Sequence, residues 1–401
     1  MNRDVLYAWI YPPGQARPVV CGKLELVRGR RILFSYDDAW LRHPEAFALS
    51  PDMPLRAGII EPPAGLDVHP IFDDAGPDRW GHAIIDKVFN PQRRSPLEYL
   101  ELTGEDRVGA LGFSRSGIEY LSVQDQAFHA TDLTALMDAA RALEKHLAID
   151  AAMGRLLRPG TSAGGARPKA VITHEGQAWI AKFPAEGDQV DVCAIEHASL
   201  QLAQRCGIRV PESALVEVGG RRVLLVKRFD RENGVRLHFA SARTMLIAEG
   251  IKDGEMGYGD IADVARRLSS DPVQDCHEIF RRMALNVCLE NTDDHERNHA
   301  FLFTQGAWTL APAYDIQPQM LGIGYQQLRV GAEGYAPTLS NVLSESRRFL
   351  LKESEAKKML DAVVKQAREW KSCFVAAGVS ARDVEVCEGF VMRVGIGVAR
   401  S

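Results

Sequence analysis

The residues best suited to chemistry lie in a short stretch of the second half of the chain. Asp293 precedes the amide Asn298 by five residues, and a second acid, Asp315, follows seventeen residues later. Carboxylate and amide oxygens are the ligands that Mg²⁺ prefers, and a carboxylate can also accept or orient the proton of an attacking hydroxyl. Because an acid and an amide at this spacing also occur by chance, the pattern needs support from elsewhere in the sequence.

A glycine-rich stretch upstream supplies a candidate site for phosphate groups. Gly164 and Gly165 allow backbone N–H groups to approach an anion, and Lys169 adds a positive charge. The stretch lacks the G-K-[ST] ending of a Walker A loop. Taken alone, the stretch is better explained as a flexible hairpin turn. Protein kinases, however, combine a phosphate-covering glycine loop with a catalytic Asp, a metal-binding Asn and a later metal-binding Asp.

A lysine follows this stretch on a predicted strand. Residues 171–173 and 179–183 predict two strands, and Lys182 lies on the second among apolar neighbours. A strand lysine beside a glycine loop can pair with nucleotide phosphates, or it can point to water. The helix predicted over 192–205 carries Glu196 near its start. This acid either positions Lys182 or interacts only with the helix dipole.

A second predicted hairpin, 214–226, turns at two glycines and leads into the charged run 227–231. In a two-lobed kinase this position would be the hinge that meets adenine, and Asp230 could bind a ribose hydroxyl. The alternative is a charged strand exit. Further on, the cap Asp271 and apolar residues at helical spacing predict a long buried helix that ends at the Asp293 loop.

The remaining pattern predicts the organisation of the chain. Residues 5–36 predict short strands, and 353–370 and 381–394 predict helices. We expect an α+β fold with three regions. These are an N-terminal α/β subdomain (1–125), which can be a packing module without chemistry, a nucleotide-binding region (126–235), and a mainly helical region (236–401).

Composition limits the function classes. The 401 residues carry a net charge of −5, so no global basic field favours nucleic acid. The seven cysteines are scattered and form no C-x-x-C, which predicts reduced thiols, a cytoplasmic location and no zinc site. The start has no apolar signal core, and no stretch is long and apolar enough for a membrane span.

Two histidines, His295 and His299, invite a metal-binding interpretation because they are four residues apart. They do not form H-E-x-x-H, and they lie in a predicted loop rather than on a helix. Local hydrogen bonding within the loop is the preferred interpretation.

Taken in chain order, several segments resemble the HipA family of bacterial toxin serine/threonine kinases, from type II toxin–antitoxin systems. They are Thr161-Ser-Ala-Gly-Gly-Ala-Arg-Pro-Lys169, Ile180-Ala-Lys-Phe-Pro184, Lys227-Arg-Phe-Asp-Arg231, Thr292-Asp-Asp-His-Glu-Arg-Asn298 and Ala313-Tyr-Asp-Ile316. Asp106-Arg-Val-Gly-Ala-Leu-Gly112 also resembles the N-terminal part of that family. The segments span nearly the whole chain in the right order, which makes the resemblance far more specific than any one motif.

The resemblance implies a two-lobed kinase-like fold, with a mixed N-terminal lobe, an extra N-terminal subdomain and a mainly helical C-terminal lobe. It implies that Asp293 is the catalytic acid, that Asn298 and Asp315 hold Mg²⁺, and that Lys182 binds the ATP phosphates. Ser162 matches the self-phosphorylation position, with Thr161 as the alternative. The other residues expected at the ATP site are Gly164, Gly165, Ala166, Arg167, Pro168, Lys169, Lys227, Arg228, Phe229, Asp230, His295 and Asn298.

The resemblance also implies partners. Relatives phosphorylate a protein target, such as an aminoacyl-tRNA synthetase, and pair with a small helix-turn-helix antitoxin that binds operator DNA. Since this chain shows no helix-turn-helix signature, DNA binding would come only through the antitoxin. The alternatives are a small-molecule phosphotransferase of related fold and an inactive corepressor that acts with an antitoxin.

Overall fold

A computed structural model describes residues 4–121, 129–149, 151–157, 167–232, 234–320 and 323–392. The chain divides into two compact units, each built from three segments. The first unit comprises 1–186, 227–249 and 302–306, and the second comprises 187–226, 250–301 and 307–401.

The first unit begins with a five-stranded antiparallel sheet. In spatial order its strands are Ile59–Ile60, Arg31–Tyr36, Val19–Val27, Val5–Ile10 and Leu111–Ser114. Alternate residues of Arg31–Tyr36 are buried, as expected for a sheet with one face on a core. Gly22 lies opposite Tyr36, and a Cβ there would collide with the ring of Phe34, so this position needs glycine.

Short helices cover this sheet and connect it to the nucleotide-binding region predicted from the sequence. The helices of the first unit are Asp38–Leu41, Pro70–Asp74, Arg79–Ile84, Pro96–Leu102, Leu133–Glu144, Ala151–Leu156 and Ala242–Ala248, with a π-helical turn at Ile85–Phe89 and a 3₁₀ turn at Ala130–Asp132. Its further strands are Lys169–His174, Gln177–Lys182, Arg231–Glu232, Val235–Arg236 and His238–Ser241. Strand Ala300–Thr304 runs across the boundary between the units.

The second unit is mainly helical. Its helices are Val192–Arg205, Tyr258–Leu268, Pro272–Leu289, Leu339–Ser344, Glu353–Ala367, Trp370–Ala376 and Ala381–Glu388, with 3₁₀ turns at Glu296–Asn298 and Ser346–Phe349. The hairpin of Ser213–Val218 and Arg221–Lys227 and the strand Ala307–Leu310 complete it, with Lys227 itself assigned to the first unit.

The central element of the second unit is the helix Pro272–Leu289. Asp271 caps its first turn by accepting a hydrogen bond from the Gln274 N–H, and Pro272 occupies a position where no N–H is needed. Arg209 binds two buried acids of this helix at 2.6 Å, Asp275 and Glu278. Burial and these charge-assisted hydrogen bonds hold the helix that leads into the Asp293 loop.

Most elements predicted from the sequence are confirmed, among them the strands within 5–36, both hairpins and the helices 192–205 and 272–289. The prediction of one helix over 353–370 is wrong. The first helix ends at Ala367, and a new one starts at Trp370, which buries Trp370, Cys373 and Phe374. The final helix ends at Glu388, earlier than expected. The three predicted regions stay a prediction. Among the described residues, no helix is long and apolar enough to cross a membrane.

Candidate active site

The Asp293 loop begins where the long helix stops. Glu290 ends the helix Pro272–Leu289 with a left-handed backbone, φ 51°, and the chain then turns back on the helix end. The Asn291 N–H donates to the Asn286 carbonyl at 2.9 Å. Such a left-handed residue is a common helix stop, and it sends the following residues out of the helix axis. Asp293 therefore lies three residues after Glu290, whose position is fixed by the end of the helix.

Asp293 and Asn298 lie within hydrogen-bond reach of each other. Nδ2 of Asn298 donates to the backbone carbonyl of Asp293 at 3.2 Å. This bond orients the buried amide of Asn298, so its Oδ1 faces away from that carbonyl. The Asp293 side chain itself is exposed. The spacing of five residues thus closes a loop that holds both groups.

The pKa of Asp293 is raised above its usual value. Loss of hydration around the carboxylate is the largest cause, and the charges of Asp315 and Asp294 add to it. His295 and a hydrogen bond from Gln327 act in the opposite direction. The effect of Asp315 on this pKa is that of its negative charge, which disfavours a second negative charge on Asp293. A carboxylate with a raised pKa is a stronger base, so it is suited to accept a proton from a hydroxyl.

One side chain of this loop and one that follows the strand Ala307–Leu310 offer oxygen atoms that fit a magnesium ion. The oriented Oδ1 of Asn298 and the carboxylate of Asp315 are hard oxygen ligands, and two acids that repel each other favour a nearby cation. Asp315 has a left-handed backbone, φ 55°, a strained conformation that clusters at functional sites. Asn298 and Asp315 are the residues that would hold the ion.

Next to Asp293, four buried side chains form a hydrogen-bonded cluster around Asp294, which we call the hub. One oxygen of Asp294, Oδ2, accepts hydrogen bonds from the Tyr258 hydroxyl at 2.5 Å, from Asn286 Nδ2 at 2.8 Å and from His299 Nε2 at 2.8 Å. All four side chains are buried. They join the helix Tyr258–Leu268, the long helix and both ends of the Asp293 loop at one atom.

The hub keeps Asp294 ionised. Burial favours the neutral acid, but His299 and the hydrogen bonds from His299 and Tyr258 outweigh it, so the pKa of Asp294 is lowered. The same charge, after burial, raises the pKa of Tyr258 well above its usual value, so the phenol stays a donor. His295 caps the 3₁₀ turn Glu296–Asn298 by accepting from the Arg297 N–H at 3.2 Å. Both histidines therefore make the local hydrogen bonds preferred from the sequence.

In the first unit, Lys169 and Lys182 form a cross-strand pair. They lie directly opposite each other in the hairpin Lys169–His174 and Gln177–Lys182. Lys169 is buried, and its Nζ binds Asp78 Oδ2 at 2.8 Å, while its carbonyl accepts from Trp80 Nε1 at 3.1 Å. Asp78 thus offsets one of two adjacent positive charges. Lys182 is half-buried at the end of its strand.

The run 227–231 contains a buried ion cluster. The Asp230 carboxylate accepts from Arg228 at 2.7 Å, from Arg231 at 2.7 Å and from the Gly109 N–H at 2.8 Å. Burial opposes ionisation, but the two guanidinium groups lower the pKa of Asp230 well below its usual range. Arg228 also donates to the Arg107 carbonyl. These contacts give Asp230 a structural role, and its contact with a ribose stays a prediction.

The other predicted residues are placed as follows. Lys227 and Phe229 are half-buried beside Arg228, Arg167 is half-buried, and Pro168 is buried with its carbonyl accepting from the Phe183 N–H. Glu196 is buried on the helix Val192–Arg205, and its positioning of Lys182 stays a prediction. Thr161, Ser162, Gly164, Gly165 and Ala166 lie outside the described residues.

Sequence reasoning missed the residues that support the site. Asp294 and His299 stand next to predicted residues, and two consecutive acids in one loop are the local signal that could have found Asp294. Tyr258 and Asn286 contact Asp294 from 36 and 8 positions away, and no local pattern marks them. Asp78 lies 91 positions before Lys169, so local spacing does not predict their contact either.

Comparisons with known proteins agree with this description. The sequence model of the HipA-like C-terminal domain matches residues 161–371, and that of the HipA N-terminal domain matches residues 17–114. A chain from the solved complex of HipA, HipB and operator DNA of the Shewanella oneidensis MR-1 toxin–antitoxin system superimposes with a TM-score of 0.70. That match covers 95% of this chain and 94% of the other at 16% identity, so it shows a shared fold.

Two curated relatives are more similar in sequence. A protein of Haemophilus influenzae, whose name provisionally describes it as a kinase, is 28% identical over 134 residues, or 30% of this chain. The serine/threonine-protein kinase toxin HipA of Shewanella oneidensis is 24% identical over 190 residues, or 40% of this chain. The matched stretches cover 39% and 43% of these relatives, so the chain spans less than half the length of either.

Proposed function

Since the chain belongs to the HipA family, we propose that it is an ATP-dependent serine/threonine protein kinase. The observation that carries the proposal is the loop in which Asn298 is tied to the Asp293 backbone, while the charge of Asp315 acts on the pKa of the Asp293 carboxylate. Phosphoryl transfer to a hydroxyl would use one acid of this kind and two further oxygen ligands for the metal ion.

In the proposed reaction, Asp293 accepts the proton of a serine or threonine hydroxyl. The hydroxyl oxygen forms a bond to the γ-phosphorus, and the bond from that phosphorus to the bridging oxygen of ADP breaks. Asn298 and Asp315 would hold Mg²⁺, which when bound neutralises charge on the phosphates. Lys182 would bind the phosphates, with Lys227, Arg228 and Phe229 at the adenine. Most of the acceleration would come from positioning and charge neutralisation.

We further propose a protein target, possibly an aminoacyl-tRNA synthetase, and self-phosphorylation at Ser162 or Thr161. The partner would be a helix-turn-helix antitoxin, with DNA reached only through it. The solved complex of the structural relative contains HipA, HipB and operator DNA, which supports this partner. All seven cysteines are free and buried, which supports a reducing, cytoplasmic place of action.

The test compares the wild-type protein with Asp293→Asn, using labelled ATP, Mg²⁺ and a bacterial proteome extract. Asp293→Asn keeps the shape of the side chain but removes the proton acceptor, so we expect transfer to protein to fall by about 10²-fold or more. Glu296→Gln is the matched control, because it removes one negative charge from the same loop and should keep full activity.

The outcomes separate the alternatives. Transfer to a metabolite but not to protein would replace the proposal with a small-molecule phosphotransferase. No magnesium-dependent ATP binding by the wild type would favour an inactive corepressor. Equal activity of Asp293→Asn and Glu296→Gln would remove Asp293 from the mechanism.

A further inference from the structure

The carboxylate of Asp293 has a side-chain partner outside the catalytic loop. Nε2 of Gln327 donates a hydrogen bond to Asp293 Oδ1 at 3.0 Å. Within the described part of the chain, this is the one side-chain hydrogen bond to either oxygen of that carboxylate. The two residues are 34 positions apart, and no sequence pattern connects them.

Gln327 is presented by an anchored segment. Its neighbours Gln326, Leu328 and Val330 are buried, whereas Gln327 itself is exposed. Arg329 binds Asp260 through two contacts of 2.9 and 3.0 Å, and its N–H donates to the Met256 carbonyl at 3.0 Å. A long side chain on a segment held this way keeps its amide within reach of the loop.

We propose that Gln327 is a positioning residue that fixes the Asp293 carboxylate for proton acceptance. The proposal rests on the proposed kinase activity. With Oδ1 engaged by the amide, Oδ2 is the oxygen left for the acceptor hydroxyl. The same hydrogen bond favours the ionised form of Asp293, which is the form that can take a proton.

The test measures the Asp293 pKa directly in the full chain, without nucleotide. Protein labelled with ¹³C at aspartate Cγ is titrated by NMR, and the Asp293 signal is identified by its loss in Asp293→Asn. The variants are Gln327→Ala, which removes the hydrogen bond, and Gln327→Glu, which replaces it with a negative charge.

Gln274→Glu is the matched control. Gln274 is exposed and lies in the first turn of the helix Pro272–Leu289. An 18-residue helix is about 27 Å long, so this position is far from the loop at the helix end. Gln274→Glu makes the same amide-to-carboxylate change as Gln327→Glu, but water and salt screen its charge from Asp293.

We expect the Asp293 pKa to rise by about 0.5 in Gln327→Ala and by about 1 or more in Gln327→Glu, and to stay unchanged in the control. In kinase assays at neutral pH, both Gln327 variants should lower kcat by about tenfold, with the KM for ATP unchanged.

Equal pKa values in Gln327→Glu and Gln274→Glu would overturn the contact. A shifted pKa with wild-type kcat would overturn the positioning role. The NMR titration needs no activity, so failure of the proposed kinase function, shown by full activity of Asp293→Asn, is a distinguishable result.

Discussion

At the scale of single residues, neighbouring acids of the site differ in pKa because their environments differ. Asp293 is exposed and has a raised pKa, whereas Asp294, the next residue, is buried and has a lowered one. The charge of His299 and the hydrogen bonds from His299 and Tyr258 outweigh burial and lower the pKa of Asp294. One acid is therefore available for proton transfer while the other fixes the loop.

The lowered pKa of Asp294 predicts an acid-dependent contribution to stability. Its folded pKa lies below the unfolded value of about 3.9, so its contribution is fully present above that pH and is lost as pH falls through the folded pKa. Asp294→Asn should lower the free energy of unfolding at pH 7 by about 2 kcal/mol, because three buried donors lose a charged acceptor.

Urea unfolding at pH 7 and near pH 3 provides the measurement. The difference between wild type and Asp294→Asn should shrink at the lower pH, while Glu296→Gln stays close to the wild type at both. A difference that is constant with pH would mean that the charge of Asp294 contributes nothing.

At the scale of elements, the N-terminal part of the chain holds the start of the strand Lys169–His174. Asp78 caps the helix Arg79–Ile84 through Oδ1 and binds buried Lys169 through Oδ2. The Trp80 indole binds the Lys169 carbonyl. The region expected to be a packing module thus fixes the first residue of this strand, a residue that the resemblance places at the ATP site.

Asp78→Asn should lower the free energy of unfolding by about 3 kcal/mol, because it keeps the helix cap but leaves the Lys169 charge buried beside a neutral group. Adding Lys169→Met should restore most of this loss. Thermal and urea unfolding of the wild type, both single variants and the double variant give the coupling free energy.

The same variants test the predicted contact of Lys169 with ATP. Because its Nζ is engaged by Asp78, the stable double variant should bind ATP with nearly wild-type affinity, whereas Lys182→Ala should bind much more weakly. Equal losses of affinity in the two proteins, measured by calorimetry, would assign Lys169 to the nucleotide.

At the scale of the whole molecule, neither unit is a continuous piece of chain. The first unit combines 1–186 with 227–249 and 302–306. Its ion cluster joins Arg107 and Gly109 to Arg228 and Asp230 across more than a hundred positions. A fragment that ends before 227 loses the partners of that cluster.

We therefore expect the fragment 1–125 to fail to fold alone, although it matches the first region predicted from the sequence. Without Arg228 and Asp230, the buried carbonyl of Arg107 and the N–H of Gly109 lose their hydrogen bonds. Circular dichroism and limited proteolysis should show an unfolded or rapidly digested fragment beside a resistant intact chain. A cooperative thermal transition of 1–125 would show that the sequence-based boundary is a true domain boundary.

The sequence by itself determined most of the helices and strands, because they depend on local spacing, and it predicted a set of oxygen-bearing side chains. Helical periodicity predicts the long helix, and an acid, an amide and a later acid predict oxygen ligands for a metal ion. The tertiary structure alone decided which residues support the Asp293 loop. Tyr258, Asn286 and Gln327 contact the two acids from 36, 8 and 34 positions away along the chain. The first unit likewise consists of three separate segments. Such residues become neighbours only when the chain packs, so their spacing along the sequence does not predict the contact.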